Sequence, residues 1–397
     1  MISKILLRRE QFPVTESLVY FNHAAVGPLS HTACSAMERH AREQRDLGAL
    51  NWRDWFGEIA EFREEAAALI HADASEISIL KNTSEGLSFV ANGFRWESGD
   101  NVVITDAEFP SNSVPWKRLG TRGVECREIP ARSGGFTVAD AERLIDARTR
   151  ILSVSAVAFH DGFSADLVAL GELCASRGVL FCVDAIQALG AVEVDVRKAK
   201  IHFLAADGHK WLLGPEGTAI FYAAADVRER LEVLETGWMN ADRGARMIDC
   251  PTDLLPDGRR FEAGSINTNG VYGLRASIAL LRHIGLENIE REVLWIAGAL
   301  AAMLGELGLE VRSPMPIASG IVAAAAPPDV DMAKLRSLAG LADDHPADAV
   351  GLIHRWLEDC GIVCSAREGM LRFAPHFYND EEDLERLREA LEEALGR

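Results

Sequence analysis

The chain is short of positive charge. Its 397 residues carry 41 Lys and Arg against 60 Asp and Glu, a net charge of −19. Nucleic acids and anionic membranes are held through basic faces, so neither is an expected partner. Long apolar runs are missing too. The longest in the C-terminal half, 296–304, falls far below the ~20 residues that span a bilayer. The first ten residues have neither a long apolar core nor a small-residue cleavage site, so a signal peptide is not expected. Cysteine is sparse. Cys34, Cys126, Cys174, Cys182, Cys250, Cys360 and Cys364 are scattered, odd in number and free of C-x-x-C spacing. That argues against a disulfide framework or a zinc site and fits a reducing cytoplasm. Internal repeats and long low-complexity tracts are also lacking. What remains, 48% hydrophobic and 25% charged, is an ordinary soluble composition, with length enough for two or three domains.

Apolar runs at 77–80, 102–105, 151–157 and 179–183 are predicted to be buried strands, and 166–176 an amphipathic helix between two of them. Such alternation indicates an α/β domain with a mainly parallel sheet. Residues 218–222 form a further strand candidate after the Gly214-Pro215 turn. From 271 the pattern changes. Segments 274–284 and 289–307 are apolar at helical spacing, 320–326 and 369–373 are short strands, and Pro327-Pro328 marks a strand end. Segment 381–395 is an amphipathic helix whose acidic start suits the positive end of the helix dipole. The expected organisation is a large domain, 21–270, and a small C-terminal α+β domain, 271–397, with an N-terminal arm, 1–20, packed on the small domain.

One segment carries chemistry. Asp207-Gly208-His209-Lys210-Trp211-Leu212-Leu213-Gly214-Pro215 sets a lysine between a histidine and an apolar run. Upstream, Gly178-Val179-Leu180-Phe181-Cys182-Val183-Asp184 reads as a buried strand ending in a carboxylate, followed by Ala185-Ile186-Gln187. A lone lysine is usually a solvated charge, and an aspartate at a strand end is often a helix cap. Together they give one site two opposite charges, which suits pyridoxal 5'-phosphate (PLP). The lysine can hold the aldehyde as a Schiff base, and the aspartate can keep the pyridine nitrogen protonated.

The runs V-D-A-I-Q-A-L-G and D-G-H-K-W-L-L-G-P-E-G-T-A-I-F-Y resemble the core of the class V aminotransferase family of fold-type I PLP enzymes. That family also holds cysteine desulfurases, isopenicillin N epimerase-like proteins and kynureninases. The resemblance extends from about Tyr20 to the C-terminus. It implies a fold-type I PLP-dependent transferase. Its large domain would hold a mainly parallel seven-stranded sheet with 218–222 antiparallel to its neighbours, and its small domain would be α+β.

Asn82-Thr83-Ser84-Glu85-Gly86 lies between strand 77–80 and a helical stretch. Backbone N–H groups and the helix dipole suit an anion there, although hydroxyls before a helix are commonly plain caps. The resemblance implies that Thr83 and Ser84 hold the PLP phosphate, that Phe109 stacks on its ring and that Gln187 bonds its phenolic oxygen. It also implies a homodimer with shared active sites, Ser265 of Glu262-Ala263-Gly264-Ser265-Ile266-Asn267-Thr268 reaching the neighbouring subunit's phosphate. His209 is expected to support the phosphate or its loop. Asp207 stands where relatives often have a phosphate-touching serine, so its carboxylate should turn away or bond to backbone N–H groups. Arg372 is implied to grip the substrate α-carboxylate, a task that suits a guanidinium fork, and Arg367 is a nearby second anchor. His160 and Asp161 follow Phe159, near which desulfurases carry an asparagine. They either touch cofactor or substrate, or fix their loop. Asn22 and the segment Gly237-Trp238-Met239-Asn240 are candidate pocket residues.

The expected substrate is a small molecule, an amino acid or an amine. Lys210, once displaced, can remove the Cα proton. Transamination, racemisation or epimerisation, and elimination all begin that way; the family's name puts the aminotransferase first, by analogy. A desulfurase needs a nucleophilic cysteine on a loop just before the carboxylate-binding arginine. Gly361-Ile362-Val363-Cys364-Ser365-Ala366-Arg367 leaves no room for that loop, so Cys364 is expected to be buried and a desulfurase is disfavoured. A ligand sensor on this fold would not need Asp184, Lys210 and Arg372 together.

Overall fold

A computed structural model describes residues 4–132, 134–242, 248, 252–342 and 346–397; Cys250 lies outside the described residues. Seven strands form the central sheet: β1 (Ile77–Leu80), β2 (Asn101–Thr105), β3 (Glu125–Ile129), β4 (Thr149–Ser155), β5 (Leu180–Asp184), β6 (Phe203–Asp207) and β7 (Ala219–Ala223). Their spatial order is β1-β7-β6-β5-β4-β2-β3. Pairings from β6 across to β3 are parallel, and β7 runs antiparallel to both its neighbours. Strands β1, β2, β5, β6 and β7 are buried at every position, as expected where both sheet faces are covered. The runs at 77–80, 102–105, 179–183 and 218–222 are legible in the sequence for that reason; β6, equally buried, is not among the strands read there. β3 escaped notice because it is an edge strand with polar, partly exposed side chains.

The carboxyl ends of the central strands stand side by side. Ser155 pairs with Asp184, and Asp184 with Ala205. Ligands of open α/β sheets bind outside these ends, and Asp184 and Asp207 are the last residues of their strands.

A second sheet runs Ser365–Arg367, Met370–Phe373, Val322–Ala325, Glu310–Val311, all antiparallel. Helices Leu286–Glu306, Ala349–Asp359 and Glu381–Leu395 bury Leu300, Leu304, Leu352, Leu357, Leu387 and Leu391 against it. The larger core extends past residue 270. Helix Thr268–Ile284 places Val271, Leu274, Ile278 and Leu281 in it, because its apolar face meets helices His31–Leu47 and Trp52–Leu69. The arm also differs from expectation. Phe12 is buried in the larger core and stacks on Tyr378 with centroids 3.9 Å apart. Among the described residues of the arm, Val19 joins the smaller core, where Val19–Tyr20 pairs with Ile362–Val363, and Arg8 pairs with Asp380 and Asp383 at the start of the last helix. The arm ties the two units together, since its apolar residues fall on both cores. No helix among the described residues is long and apolar enough to cross a membrane.

The loop after the arm lies directly on the lysine segment. Gly27 N–H donates to His209 O at 2.7 Å, and a Cβ at Gly27 would stand 2.2 Å from Lys210 O. No side chain fits that gap. Gly27→Ala is therefore expected to cost about 1–3 kcal/mol of stability by overpacking and to weaken PLP retention. Thermal melts with and without PLP would measure both, and unaltered melting would mean that the loop withdraws freely.

Candidate active site

A cavity of about 330 Å³ opens at the carboxyl ends of β5 and β6. Lys210 projects into it from the turn after β6, with its Nζ 5.7 Å from the ring centroid of Phe109. Burial lowers the Lys210 pKa to about 8, Asp184 and Asp207 oppose that shift, and Arg372 and Arg367 reinforce it. An amine tuned this way titrates close to neutral pH, where a general base works best.

Asp184 ends β5 with 2% of its surface exposed. Its Oδ1 accepts from Ile186 N–H at 3.0 Å. Burial raises its pKa to about 6, against the pull of that N–H and of Lys210. A second, half-buried carboxylate lies near enough to interact with it. Glu108 accepts from Ser155 N–H (3.0 Å), Ser155 Oγ (2.5 Å), Thr105 Oγ1 (3.0 Å) and Asn112 Nδ2 (2.9 Å). Burial pushes it up to about 7, with Asp184 adding to the rise. Sequence reading missed Glu108 as a supporting residue, although it adjoins Phe109; its partners come from three separate segments.

Asn82, Thr83 and Ser84 line the cavity as the cap and first two residues of helix Thr83–Gly93. The first N–H groups of a helix lack intrahelical partners and suit an anion. Asn82 Oδ1 accepts from Glu85 N–H (2.9 Å), Thr83 Oγ1 accepts from Asp207 N–H (2.9 Å), and the Ser84 and Ser111 hydroxyls are 2.7 Å apart. The Asp207 carboxylate does neither of the things expected of it. Its Oδ1 stands 2.9 Å from His209 Nδ1, within the cavity wall. The two-residue spacing across Gly208 lets both side chains face the same way.

Gln187 lines the cavity with both ends of its amide engaged. Nε2 donates to Ala24 O (3.0 Å), leaving one N–H, and Oε1 accepts from Trp211 Nε1–H (2.8 Å). Arg372 is buried, donating from Nε to Ser365 Oγ (3.1 Å) and from Nη1 to Phe159 O (2.7 Å). Burial and Arg367 lower its pKa to about 10. Phe109 is 41% exposed and meets Phe159 edge-on at 5.2 Å, so it is a cavity wall and no core residue.

His160, Asn22 and the segment Gly237-Trp238-Met239-Asn240, all expected at the pocket, stand outside this cavity. His160 is buried beside Asp161, Nε2 to Oδ2 3.5 Å, and the side chain of that loop which lines the cavity is Phe159. Consecutive side chains diverge, so one of the pair faces inward. Asn22 is likewise outside the lining; Ala24, Ala25 and Val26 take that role, while Asn22 is bridged through its backbone to Ala374. Ser265 lies in a neighbouring recess with Glu262, Asn267 and Lys81. Among the described residues no cysteine lines the cavity. Cys364 is buried between two strands, and burial drives its thiol pKa far up.

The residues fit PLP. A buried carboxylate keeps one oxygen for a cationic N–H, a primary amine stands in the same cavity, and a helix N-terminus faces its far wall. Together with a mainly parallel sheet that has one antiparallel strand, they define a fold-type I PLP-dependent enzyme. The family model for Aminotransferase class-V matches residues 40–387, and the chain belongs to that family. It is 32% identical to a probable cysteine desulfurase of Methanothermobacter thermautotrophicus, over 98% of this chain and 97% of that one. An uncharacterized aminotransferase of Bacillus subtilis, YcbU, is 27% identical over 98% and 97%. Among solved structures, a cysteine desulfurase from Thermococcus onnurineus superposes with a TM-score of 0.83 at 28% identity, covering 99% and 98%. The cystine C-S lyase C-DES shares the fold, with a TM-score of 0.86 at 23% identity over 96% and 99%.

The raised Asp184 pKa has a stability consequence. The folded, cofactor-free protein holds a proton that the unfolded chain releases at lower pH. The stabilising contribution is fully present below the ordinary carboxylate range and is lost as pH rises through about 6. Between those limits it amounts to about 2–3 kcal/mol. Asp184→Asn should flatten that part of the profile in denaturant titrations, leaving the Glu108 contribution; identical pH profiles for the two proteins would remove the assignment.

Proposed function

We propose that this chain is a PLP-dependent aminotransferase that acts at Cα of an amino acid, with Lys210 as its one mobile base. The observation that carries the reading is the makeup of the cavity. Lys210 faces Phe109, a ring that can neither take nor give a proton. His209 is engaged by Asp207, and His160 is outside the lining. Apart from His209, which this reading assigns to the phosphate, no second histidine or lysine stands among the described lining residues.

When bound, PLP supplies an aldehyde that captures the substrate amine and a protonated ring that accepts the electrons of the broken Cα–H bond. The residues divide that work. Lys210 would hold the aldehyde covalently until substrate arrives. Asp184 would keep the proton on the pyridine nitrogen. Thr83, Ser84 and His209 would receive the phosphate at the helix N-terminus, Gln187 would offer its remaining N–H to the phenolic oxygen, and Phe109 would offer its ring for stacking. Arg372 grips the α-carboxylate with its guanidinium, whose orientation Ser365 and Phe159 O already fix. So anchored, the substrate would present its Cα proton to Lys210, which would move it along one face to the former aldehyde carbon of the cofactor, the substrate leaving as its 2-oxo acid and its amino group staying with the cofactor. One base suffices for that transfer.

A second reading is favoured by the relatives called cysteine desulfurases: cleavage of a C–S bond by elimination, which needs the same base and no thiol. Product analysis separates the two. Amino acids incubated with a 2-oxo acid should give a new 2-oxo acid matched by amino product. Elimination would give ammonia without an acceptor, and desulfuration would give alanine from cysteine. Lys210→Ala should lower turnover by at least about 10³-fold, in the range of lost acid–base and covalent roles, and lose the borohydride-reducible cofactor linkage. Cys364→Ala should leave turnover within about twofold. Alanine and a persulfide from cysteine, abolished by Cys364→Ala, would reverse the reading.

We further propose that the enzyme is a homodimer with shared sites, in a reducing cytoplasm. Phe56 and Trp238, 41% and 45% exposed, line one recess with Glu262, which begins the loop carrying Ser265. Exposed apolar surface of this kind suits a subunit interface. Ser265 on that loop would reach the partner's phosphate. Mixing inactive Lys210→Ala subunits with inactive Ser265→Asp subunits should restore activity, since a hybrid contains one intact site. A fully active monomer at assay concentration would exclude the shared site.

A further inference from the structure

Two guanidiniums reach the cavity, and they are built differently. Arg372 is buried and doubly hydrogen-bonded. Arg367 is exposed and stands on the adjacent strand of the Ser365–Arg367 and Met370–Phe373 hairpin. Register fixes their relation. Arg372 lies directly opposite Ser365 and bonds to its hydroxyl. Arg367 is two residues beyond Ser365, so it projects from the same face. Arg367 and Arg372 are therefore diagonal neighbours, roughly 7–8 Å apart at the backbone.

That arrangement is uncompensated. Among the described residues neither arginine has a carboxylate within ion-pair distance, and each belongs to the wall of the same cavity. Two like charges on one sheet face repel, and here the repulsion is felt as the lowering of the Arg372 pKa by Arg367. Asp184 and Asp207 lie at the other side, at the strand ends. An α-carboxylate satisfies Arg372. It leaves Arg367, one diagonal step towards the rim, facing a second anion.

We propose that the substrate is a dicarboxylic α-amino acid, held by Arg372 at its α-carboxylate and by Arg367 at its side-chain carboxylate. This rests on the reading of the cavity as an amino-acid site. The intervening wall fits such a molecule, because Phe109, Phe159 and Val26 offer apolar contact to the methylenes between the two charged ends. A neutral side chain would leave Arg367 paired only with water. A cationic one would meet repulsion from both arginines.

The test uses holoenzyme and two readouts. The first is kcat/KM for aspartate, glutamate and 2-aminoadipate against asparagine and glutamine. The wild type should prefer at least one dicarboxylic acid over its amide. Arg367→Gln should lower the acid-to-amide ratio 10–100-fold, the worth of a hydrogen bond to a charged group, and Arg367→Lys should recover part of it. The second is the Kd of glutarate against butyrate by calorimetry, which needs no turnover. Glutarate should bind more tightly than butyrate, and Arg367→Gln should erase the difference. Equal losses on acids and amides would assign both arginines to the α-carboxylate and overturn the proposal. So would a wild-type preference for amides, or glutarate binding no tighter than butyrate. If no amino acid is turned over while glutarate binding still depends on Arg367, the functional reading fails and the anion pair stands.

Discussion

The backbone of His209–Trp211 is clamped from three sides, and the position of Lys210 depends on that clamp. His209 O accepts from Gly27 N–H. Trp211 O accepts from the Nε2–H of buried His376 at 2.9 Å. The Trp211 indole donates to Gln187, whose own amide reaches Ala24 O. The N-terminal loop, the segment after β5 and the C-terminal segment thus meet on the one lysine that faces the cavity. His23 completes the link. Its Nδ1–H donates to Ala374 O at 2.7 Å, and its Nε2 accepts from Tyr378 Oη–H at 2.6 Å. Burial keeps His23 and His376 well below the usual histidine range, so neither carries a charge into the clamp at neutral pH. A covalent cofactor site needs such rigidity, because an amine displaced by even an ångström loses its line to the reacting atom.

Burial sets the electrostatics of the cavity. Lys210 is lowered to about 8, Asp184 raised to about 6 and Glu108 to about 7, with desolvation first among the causes in each case. Each of these groups therefore titrates closer to neutral pH than it would in water. The same balance explains why Glu108 takes four hydrogen bonds from neighbours. An ionised carboxylate next to Asp184 is tolerable only if well solvated by the protein itself.

Much of this was legible in the chain because the relevant elements are locally specified. Ile77–Leu80 and Glu381–Leu395 fall where the sequence places them. The first is an apolar run closed by polar residues. The second begins with Asp380, whose side chain and that of Asp383 form a capping box. Lys210, Asp184, Thr83, Ser84, Gln187 and Arg372 come to one cavity because each sits at the end or turn of such an element. What escaped is tertiary. The inward rotation of Phe159 in place of His160, the Asp207–His209 contact and the path of the arm, with Phe12 in the larger core and Val19 in the smaller, depend on tertiary packing. No spacing rule encodes them.

The small sheet sets a limit on the chemistry. Val363 pairs with Tyr20, and Ser365 pairs with Arg372 and bonds its guanidinium. Cys364 lies between these two residues, and its carbonyl accepts from His354 at 3.2 Å. To present that thiol to a substrate, the segment would have to leave both strand pairings. Doing so would release Ser365 from Arg372 and loosen the guanidinium proposed to grip the α-carboxylate. Under that proposal, attack on sulfur by Cys364 and firm anchoring by Arg372 would compete in this hairpin. That places the choice of reaction on the base at Lys210 and on the groups lining the rim.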